Sequence, residues 1–155
     1  MGINLRAGKE EDLAQTLELI KELAHFEQAP NEVEVSLDEM RAWGFGTEKL
    51  FGFFVLEKDE RIIGTAIYYY KYSTWKGRCL FLEDIIVTER ERKQGYGKLL
   101  FNTVLALAKT EQVRRMEWQV LDWNTGAIEF YKKYNSVFDP EWINCKLTYE
   151  RIQSL

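Results

Sequence analysis

Hydrophobic positions near the start of the chain recur with helical spacing. Leu13, Leu17, Ile20 and Ala24 follow one another at steps of four, three and four, with Leu23 beside them. This pattern predicts an amphipathic helix within "EDLAQTLELIKELAHFEQ", with acidic residues in its first turn.

Two further helices are expected from local start signals. Ser36 and Glu39 have capping-box spacing in "SLDEMRAWGFG", which predicts a short helix ending near Gly44. The segment "TGAIEFYKKY" predicts a helix capped by Asn124 or Thr125. A fourth helix is expected from Gly97 to Thr110.

The strands are predicted from runs of β-branched and aromatic residues. "LFGFFVLEKDERIIGTAIYYYKYS" has two such runs around a polar break, which favours a hairpin. The remaining strands are expected in "INLR", "RCLFLEDIIV", "RRMEWQVL" and "NCKLTYE". The predicted order is therefore β-α-α-β-β-β-α-β-α-β, an α+β fold with a mixed sheet.

Composition narrows the class of protein. A chain of 155 residues with 46% hydrophobic residues suits a single domain, 1–155, and no apolar stretch is long enough to span a membrane. The first residues lack the apolar centre of a secretory signal, so we expect a cytoplasmic protein. A net charge of -4 argues against nucleic-acid binding, and Cys79, Cys145 and the single His25 match no metal spacing.

The stretch "RERKQGYGKLLF" places glycines and cations between a predicted strand and a helix. It fails the P-loop pattern because Arg92 and Leu99 stand where glycine and Ser or Thr are needed, and it fails the dinucleotide pattern at Leu100. Arg92, Gly95 and Gly97 remain as RxxGxG, in which a guanidinium and backbone amides suit a pyrophosphate. The alternative is a simple turn with solvated cations.

The segment "LEDIIVTERERKQGYGKLL" resembles the acetyl-CoA-binding core of the GNAT acetyltransferases. The stretches "LIKELAHFE", "YSTWKGR", "FLEDIIV" and "VLDWNTGAIEFYKK" are similar to the diamine acetyltransferase branch, which comprises the spermidine/spermine N1- and thialysine N-epsilon-acetyltransferases. The resemblance implies the GNAT fold, a central mixed and mostly antiparallel sheet flanked by helices. It also implies transfer of an acetyl group from acetyl-CoA to a primary amine of a small cationic substrate.

The resemblance assigns two catalytic residues. Glu83 corresponds to the proton acceptor and Tyr131 to the donor that protonates the departing thiolate. Strand alternation places Glu83 and Asp84 on opposite faces, so one of them needs a polar environment. The alternatives are an edge-strand acid paired with an arginine for Glu83, and a packing role for Tyr131, which has helical spacing to Ile128 and Tyr134.

The resemblance also implies a set of binding residues. Cofactor contacts are expected from Ile85, Ile86, Val87, Arg92, Lys93, Gln94, Gly95, Tyr96, Gly97, Lys98, Asn124, Ala127 and Tyr131, with Lys132 or Lys133 near the nucleotide phosphates. Amine contacts are expected from Phe26, Glu27, Glu83, Glu117, Trp118, Gln119 and Glu141. The alternatives are a helix cap for Asn124 and plain surface positions for Glu27 and Glu141.

The chain departs from the family pattern in several places. Lys93 and Asn135 stand where the family has glycine, and two loops, near Lys58 to Glu60 and before Glu141, are short. The alternatives to a small-amine acetyltransferase are a GNAT enzyme acting on a protein amino group or another amino acid, and a catalytically silent acyl-CoA-binding module. The branch forms dimers, so we expect a homodimer, and no metal.

Overall fold

The computed structural model describes residues 2–155, which form two compact units. The first ends at Gln119 and the second runs from Val120 to Leu155. In the first unit the helices are α1 (Leu13–Phe26), α2 (Leu37–Phe45) and α3 (Tyr96–Thr110), with short 3-10 turns at Glu10–Asp12 and Glu89–Glu91. Its strands are β1 (Ile3–Ala7), β2 (Gly52–Lys58), β3 (Arg61–Ser73), β4 (Gly77–Val87) and β5 (Met116–Glu117).

The five strands form one mixed sheet in the order β1-β2-β3-β4-β5. The first three pairings are antiparallel, and β4 pairs with β5 in parallel. Asp59 and Glu60 both have positive φ in the turn between β2 and β3, which is the geometry that joins two twisted strands through two residues. The predicted mixed and mostly antiparallel sheet is therefore confirmed.

Helices cover both faces of the sheet. The predicted stripe of α1 is buried at Leu13, Leu17 and Ala24, and its first two members share a core cluster with Val55 of β2. Leu56 is also fully buried, although successive strand residues point to opposite faces. The helix α3 packs against β2, β3 and β4. Its buried residues are Leu100, Phe101, Val104 and Ala108.

Local sequence signals position the helix ends. The capping box predicted for Ser36 and Glu39 is present, with Ser36 Oγ accepting from Glu39 N at 3.1 Å and Glu39 Oε1 accepting from Ser36 N at 3.0 Å. Gly95, the N-cap of α3, is left-handed at φ 84°. Within residues 2–155, none of the helices combines the length and hydrophobicity needed to cross a bilayer.

The second unit contains α4 (Thr125–Lys132) and α5 (Tyr149–Ser154). The strand predicted in "NCKLTYE" is wrong: residues 143–148 pair with no other strand within residues 2–155, and Thr148 caps α5 by accepting from Arg151 N at 3.2 Å. A period-two pattern indicates an extended chain but supplies no neighbouring strand. The strand predicted in "RRMEWQVL" is reduced to the two residues of β5 for the same reason.

Candidate active site

A β-bulge interrupts β4 at its centre. Asp84 lies opposite Ile67 and Leu82 lies opposite Tyr68, so Glu83 has no partner across the ladder. Strict alternation, which predicted opposite faces for Glu83 and Asp84, therefore does not hold through this point. The bulge bends the strand where the two carboxylates occur.

The charges of two other carboxylates, Glu83 and Glu27, act on Asp84 at this bulge. Burial, followed by the charges of Glu83 and Glu27, raises the pKa of Asp84 to about 6. Glu27, at the end of α1, has a pKa that burial also raises. Within residues 2–155 none of the three forms a salt bridge. The group is negative and lacks a cation, which is an environment suited to an ammonium ion.

Glu83 matches its structural alternative only in part. The strand β5 pairs with β4 only at Leu80 and Phe81, so the edge of β4 is open at Glu83, but Glu83 is not paired with an arginine in the part of the chain described. Tyr69 of β3 is a neighbour that the sequence did not indicate. Burial and then the charge of Glu83 raise the pKa of the Tyr69 hydroxyl, and its ring stacks on Phe81 at 5.2 Å between centroids.

The residues predicted to bind the amine on the penultimate strand have surroundings that differ from those of Glu83. Glu117 forms salt bridges with Lys71 at 3.2 Å and with Arg115 at 3.1 Å, so its charge is balanced inside the protein. Trp118 makes an edge contact with Phe101 of α3 at 5.2 Å, and Gln119 is exposed beyond β5. The carboxylate without a salt bridge that was expected at Glu117 is found, among the described residues, at Asp84. The register of β3 against β4 shows this, and the sequence alone does not.

The end of β4 leads into the predicted cofactor loop. Ile85, Ile86 and Val87 complete the strand. Gly95 then begins α3 without a side-chain cap, so the first-turn amides, those of Tyr96, Gly97 and Lys98, have no acceptor in the described structure. Such amides attract anions at the positive end of a helix. Lys93, which replaces the family glycine, has a left-handed φ of 63°, and Gln94 is exposed beside it.

Arg92 is half-buried and contacts both β4 and α1. Its Nε donates to the Val87 carbonyl at 2.9 Å, and its guanidinium carbon lies 5.3 Å from the centre of the Phe26 ring. One of its terminal nitrogens is 3.7 Å from Glu22 Oε1. In the structure this guanidinium contacts α1 and the end of β4, and its predicted contact with a pyrophosphate stays a prediction. The backbone amides of α3 are further anion donors after the same loop.

The remaining predicted residues belong to the second unit. Asn124 is the N-cap of α4, and its side chain accepts from Ala127 N at 3.3 Å, which is the helix-cap alternative. Tyr131 is buried and makes an edge contact with Phe130 at 5.3 Å. Glu141 is exposed.

The cations at the end of α4 are exposed. Lys132 pairs with Glu129 on the same helix at 2.9 Å, and Lys133 is exposed beside it. Asn135 follows with a left-handed φ of 56°, as the family glycine would require. In the part of the chain described, no group of three or more His, Cys, Asp or Glu residues is arranged to hold a metal ion.

Comparison with known proteins decides the family. A sequence model of the acetyltransferase (GNAT) family matches residues 16–135. The chain belongs to the GNAT family. It is therefore an acetyltransferase, and the predicted fold and enzyme class are confirmed. GNAT acetyltransferases use acetyl-CoA as co-substrate.

Individual relatives support the predicted branch. Thialysine N-epsilon-acetyltransferase from Bos taurus is 36% identical over 138 residues, which cover 84% of this chain and 81% of the bovine protein. Spermidine/spermine N(1)-acetyltransferase-like protein 1 from Homo sapiens is 31% identical over 134 residues, covering 82% of this chain and 19% of the human protein. An integron cassette protein from the mobile metagenome of V. cholerae has a TM-score of 0.80, covering 99% of this chain and 97% of that one at 16% identity, which supports the fold alone.

Proposed function

We propose that this GNAT enzyme transfers the acetyl group of acetyl-CoA to a primary amine of a small cationic substrate such as a polyamine, thialysine or a lysine-like compound. The observation that carries the proposal is the group of Glu27, Glu83 and Asp84, which has no salt-bridge partner among the described residues. An ammonium substrate supplies the missing positive charge. The names of the relatives support the same class of acceptor.

The reaction proceeds by direct attack in a ternary complex. The amine has a reference pKa of about 10.4 and arrives protonated, so it must lose a proton before attack. Glu83 accepts that proton through water, the amine nitrogen forms a bond to the thioester carbonyl carbon, and the carbon–sulfur bond breaks. Tyr131 protonates the departing thiolate, and the second proton that the amine nitrogen loses as the amide forms returns to the tyrosinate through water.

The cofactor is held at the loop between β4 and α3. The first-turn amides of α3, after Gly95, donate hydrogen bonds to the pyrophosphate. The main chain of Ile85 to Val87 holds the pantetheine arm as an added strand would be held. Asn124, Ala127, Lys132 and Lys133 contribute further cofactor contacts as predictions from the family.

We also propose a single GNAT domain over 1–155 and a homodimer. The family match runs through both compact units. The second unit exposes many large apolar side chains in the part described, including Trp142, Ile143, Leu147 and Tyr149. A second copy of the chain would cover them. Sedimentation should find a dimer, and removal of residues 142–155 should give monomers. A monomeric full chain would contradict the proposal. The cytoplasmic location stays a prediction.

A thiol-release assay tests the activity. Acetyl-CoA is offered with spermidine, thialysine, lysine and a lysine-containing peptide, and release of free CoA is measured. We expect turnover with the small amines. The Asp84→Asn variant should have a higher KM for these amines. Turnover with the peptide alone would favour the protein acceptor. CoA binding without any turnover would favour the silent acyl-CoA-binding module.

A further inference from the structure

The helix α1 reaches the start of the cofactor loop through Glu22. Thr88 Oγ1 donates to both carboxylate oxygens of Glu22, at 3.3 and 3.0 Å, and Glu89 N donates to Glu22 Oε1 at 2.9 Å. A terminal nitrogen of Arg92 lies 3.7 Å from the same oxygen. Within residues 2–155, the hydrogen-bonding and charged partners of this carboxylate therefore lie in the loop that follows β4.

These contacts differ from those of an ordinary surface acid on a helix. The side chain of Glu22 is 33% exposed, whereas that of Glu18, one turn earlier, is 73% exposed and pairs with Lys21 on the same helix. Glu22 also helps to fix Arg92, whose Nε is bonded to the Val87 carbonyl. The start of the loop is thus fastened to α1 and to the end of β4 at once.

We propose that Glu22 is a positioning residue for the acetyl-CoA loop. This proposal rests on the proposed function, because it assumes that this loop holds the cofactor. Glu22 does not contact the cofactor itself. It acts through Thr88, Glu89 and Arg92, which keeps the loop ordered and leaves the amides of α3 exposed for the pyrophosphate.

The physical effect is on the ordering of the loop. A loop that is ordered before binding loses less conformational entropy when a ligand arrives. Removal of the Glu22 carboxylate leaves the Glu89 N–H without its acceptor and removes the charge opposite one terminal nitrogen of Arg92. The cofactor must then order the loop, so the loss appears in cofactor affinity. A purely structural Glu22 would instead affect only the stability of the fold.

The test compares Glu22→Ala and Glu22→Gln with the matched variant Glu18→Ala. We expect Glu22→Ala to raise the KM for acetyl-CoA, and the Kd for CoA by calorimetry, by about tenfold. Glu22→Gln should raise both by about threefold, because its amide oxygen still accepts a hydrogen bond but carries no charge. The kcat at saturating acetyl-CoA and the KM for the amine should not change, and Glu18→Ala should resemble the wild type.

A second control separates positioning from stability. Asp12→Asn removes the carboxylate that pairs with Arg6 at 2.7 Å at the start of α1, so it destabilises the fold away from the loop. It should lower the Tm without raising the KM for acetyl-CoA. If Glu22→Ala does not fold, Glu22→Gln and Thr88→Val decide, and Thr88→Val should raise the KM about twofold because one donor is lost.

The outcomes distinguish a failure of the proposed function from a failure of the positioning role of Glu22. If the wild type does not bind CoA, the proposed function fails and the role of Glu22 fails with it. If the wild type binds CoA but the Glu22 variants match Glu18→Ala, only the positioning role is overturned. It is also overturned if Asp12→Asn raises the KM for acetyl-CoA as much as Glu22→Ala does for the same fall in Tm.

Discussion

Replacement of Asp84 by asparagine should stabilise this protein at neutral pH. Burial and the charges of Glu83 and Glu27 raise the pKa of Asp84 from 3.8 to about 6, so the folded state binds this proton more tightly than the unfolded state does. The free energy of unfolding therefore falls as pH rises from about 4 to about 6, where Asp84 ionises. Asparagine resembles the protonated acid and avoids this loss.

The size of the effect follows from the pKa difference. A change from 3.8 to about 6, at 1.36 kcal/mol for each pH unit, corresponds to about 3 kcal/mol. The asparagine amide has its own cost of burial, but that cost does not depend on pH. The quantity to measure is thus the change, between pH 4 and pH 8, in the stability difference between Asp84→Asn and wild type.

Urea denaturation at several pH values between 4 and 8 gives this quantity. Asp12→Asn serves as the control of opposite sign, because the hydrogen bond from Arg6 lowers the pKa of Asp12 below 3.8. That variant should be less stable than wild type by a nearly constant amount between pH 8 and pH 4, because Asp12 takes up its proton only below this range. The two variants should therefore diverge as pH rises.

A stability difference for Asp84→Asn that is the same at pH 4 and pH 8 would refute the reasoning. So would a variant that becomes less stable relative to wild type as pH rises. The variant should also bind the cationic acceptor more weakly, since it removes one of the charges that the amine neutralises. Stability gained with acceptor affinity lost is the expected compromise at a binding site.

Three other changes test separate parts of the site and loop. Tyr131→Phe should lower kcat by about 10- to 100-fold with little change in the KM for acetyl-CoA, and equal turnover in a thiol-release assay would remove Tyr131 from the mechanism. Glu83→Gln should move the optimum of a pH–rate profile upward, because the reaction then relies on amine that is already neutral, and an unchanged profile would count against Glu83 as the base. Lys93→Gly should raise stability by about 1 kcal/mol in thermal unfolding because φ is 63° there, whereas Lys98→Gly in the first turn of α3 should lower it by about 1 kcal/mol. Equal changes in the two lysine variants would contradict the strain argument.

Features encoded by neighbouring residues could be predicted from the sequence. The capping box of α2 depends on Ser36 and Glu39 alone, and the turn before α3 depends on a glycine that tolerates positive φ. The Asn124 cap is of the same kind. The family resemblance supplied the fold and the enzyme class through motifs that are also local.

Features that depend on long-range pairing could not be predicted. The bulge at Glu83 requires the register of β3 against β4, and the neutralised charge of Glu117 on β5 requires Lys71 of β3 to reach across β4. Glu22 has helical spacing like any surface acid until the loop comes beside it. The prediction of the last strand was wrong because an alternation of apolar residues does not show whether another strand lies beside it. Charge pairing and strand register are properties of the folded chain.

The extra residue in β4 has a consequence for changes elsewhere in the sheet. One inserted residue in β3 opposite it, near Tyr68, would let the ladder regain regular spacing. Every side chain beyond that point on one strand would then exchange faces, and Glu83 would take an ordinary place in the pleat. Insertions in β3 should therefore abolish turnover, even though they touch no catalytic group.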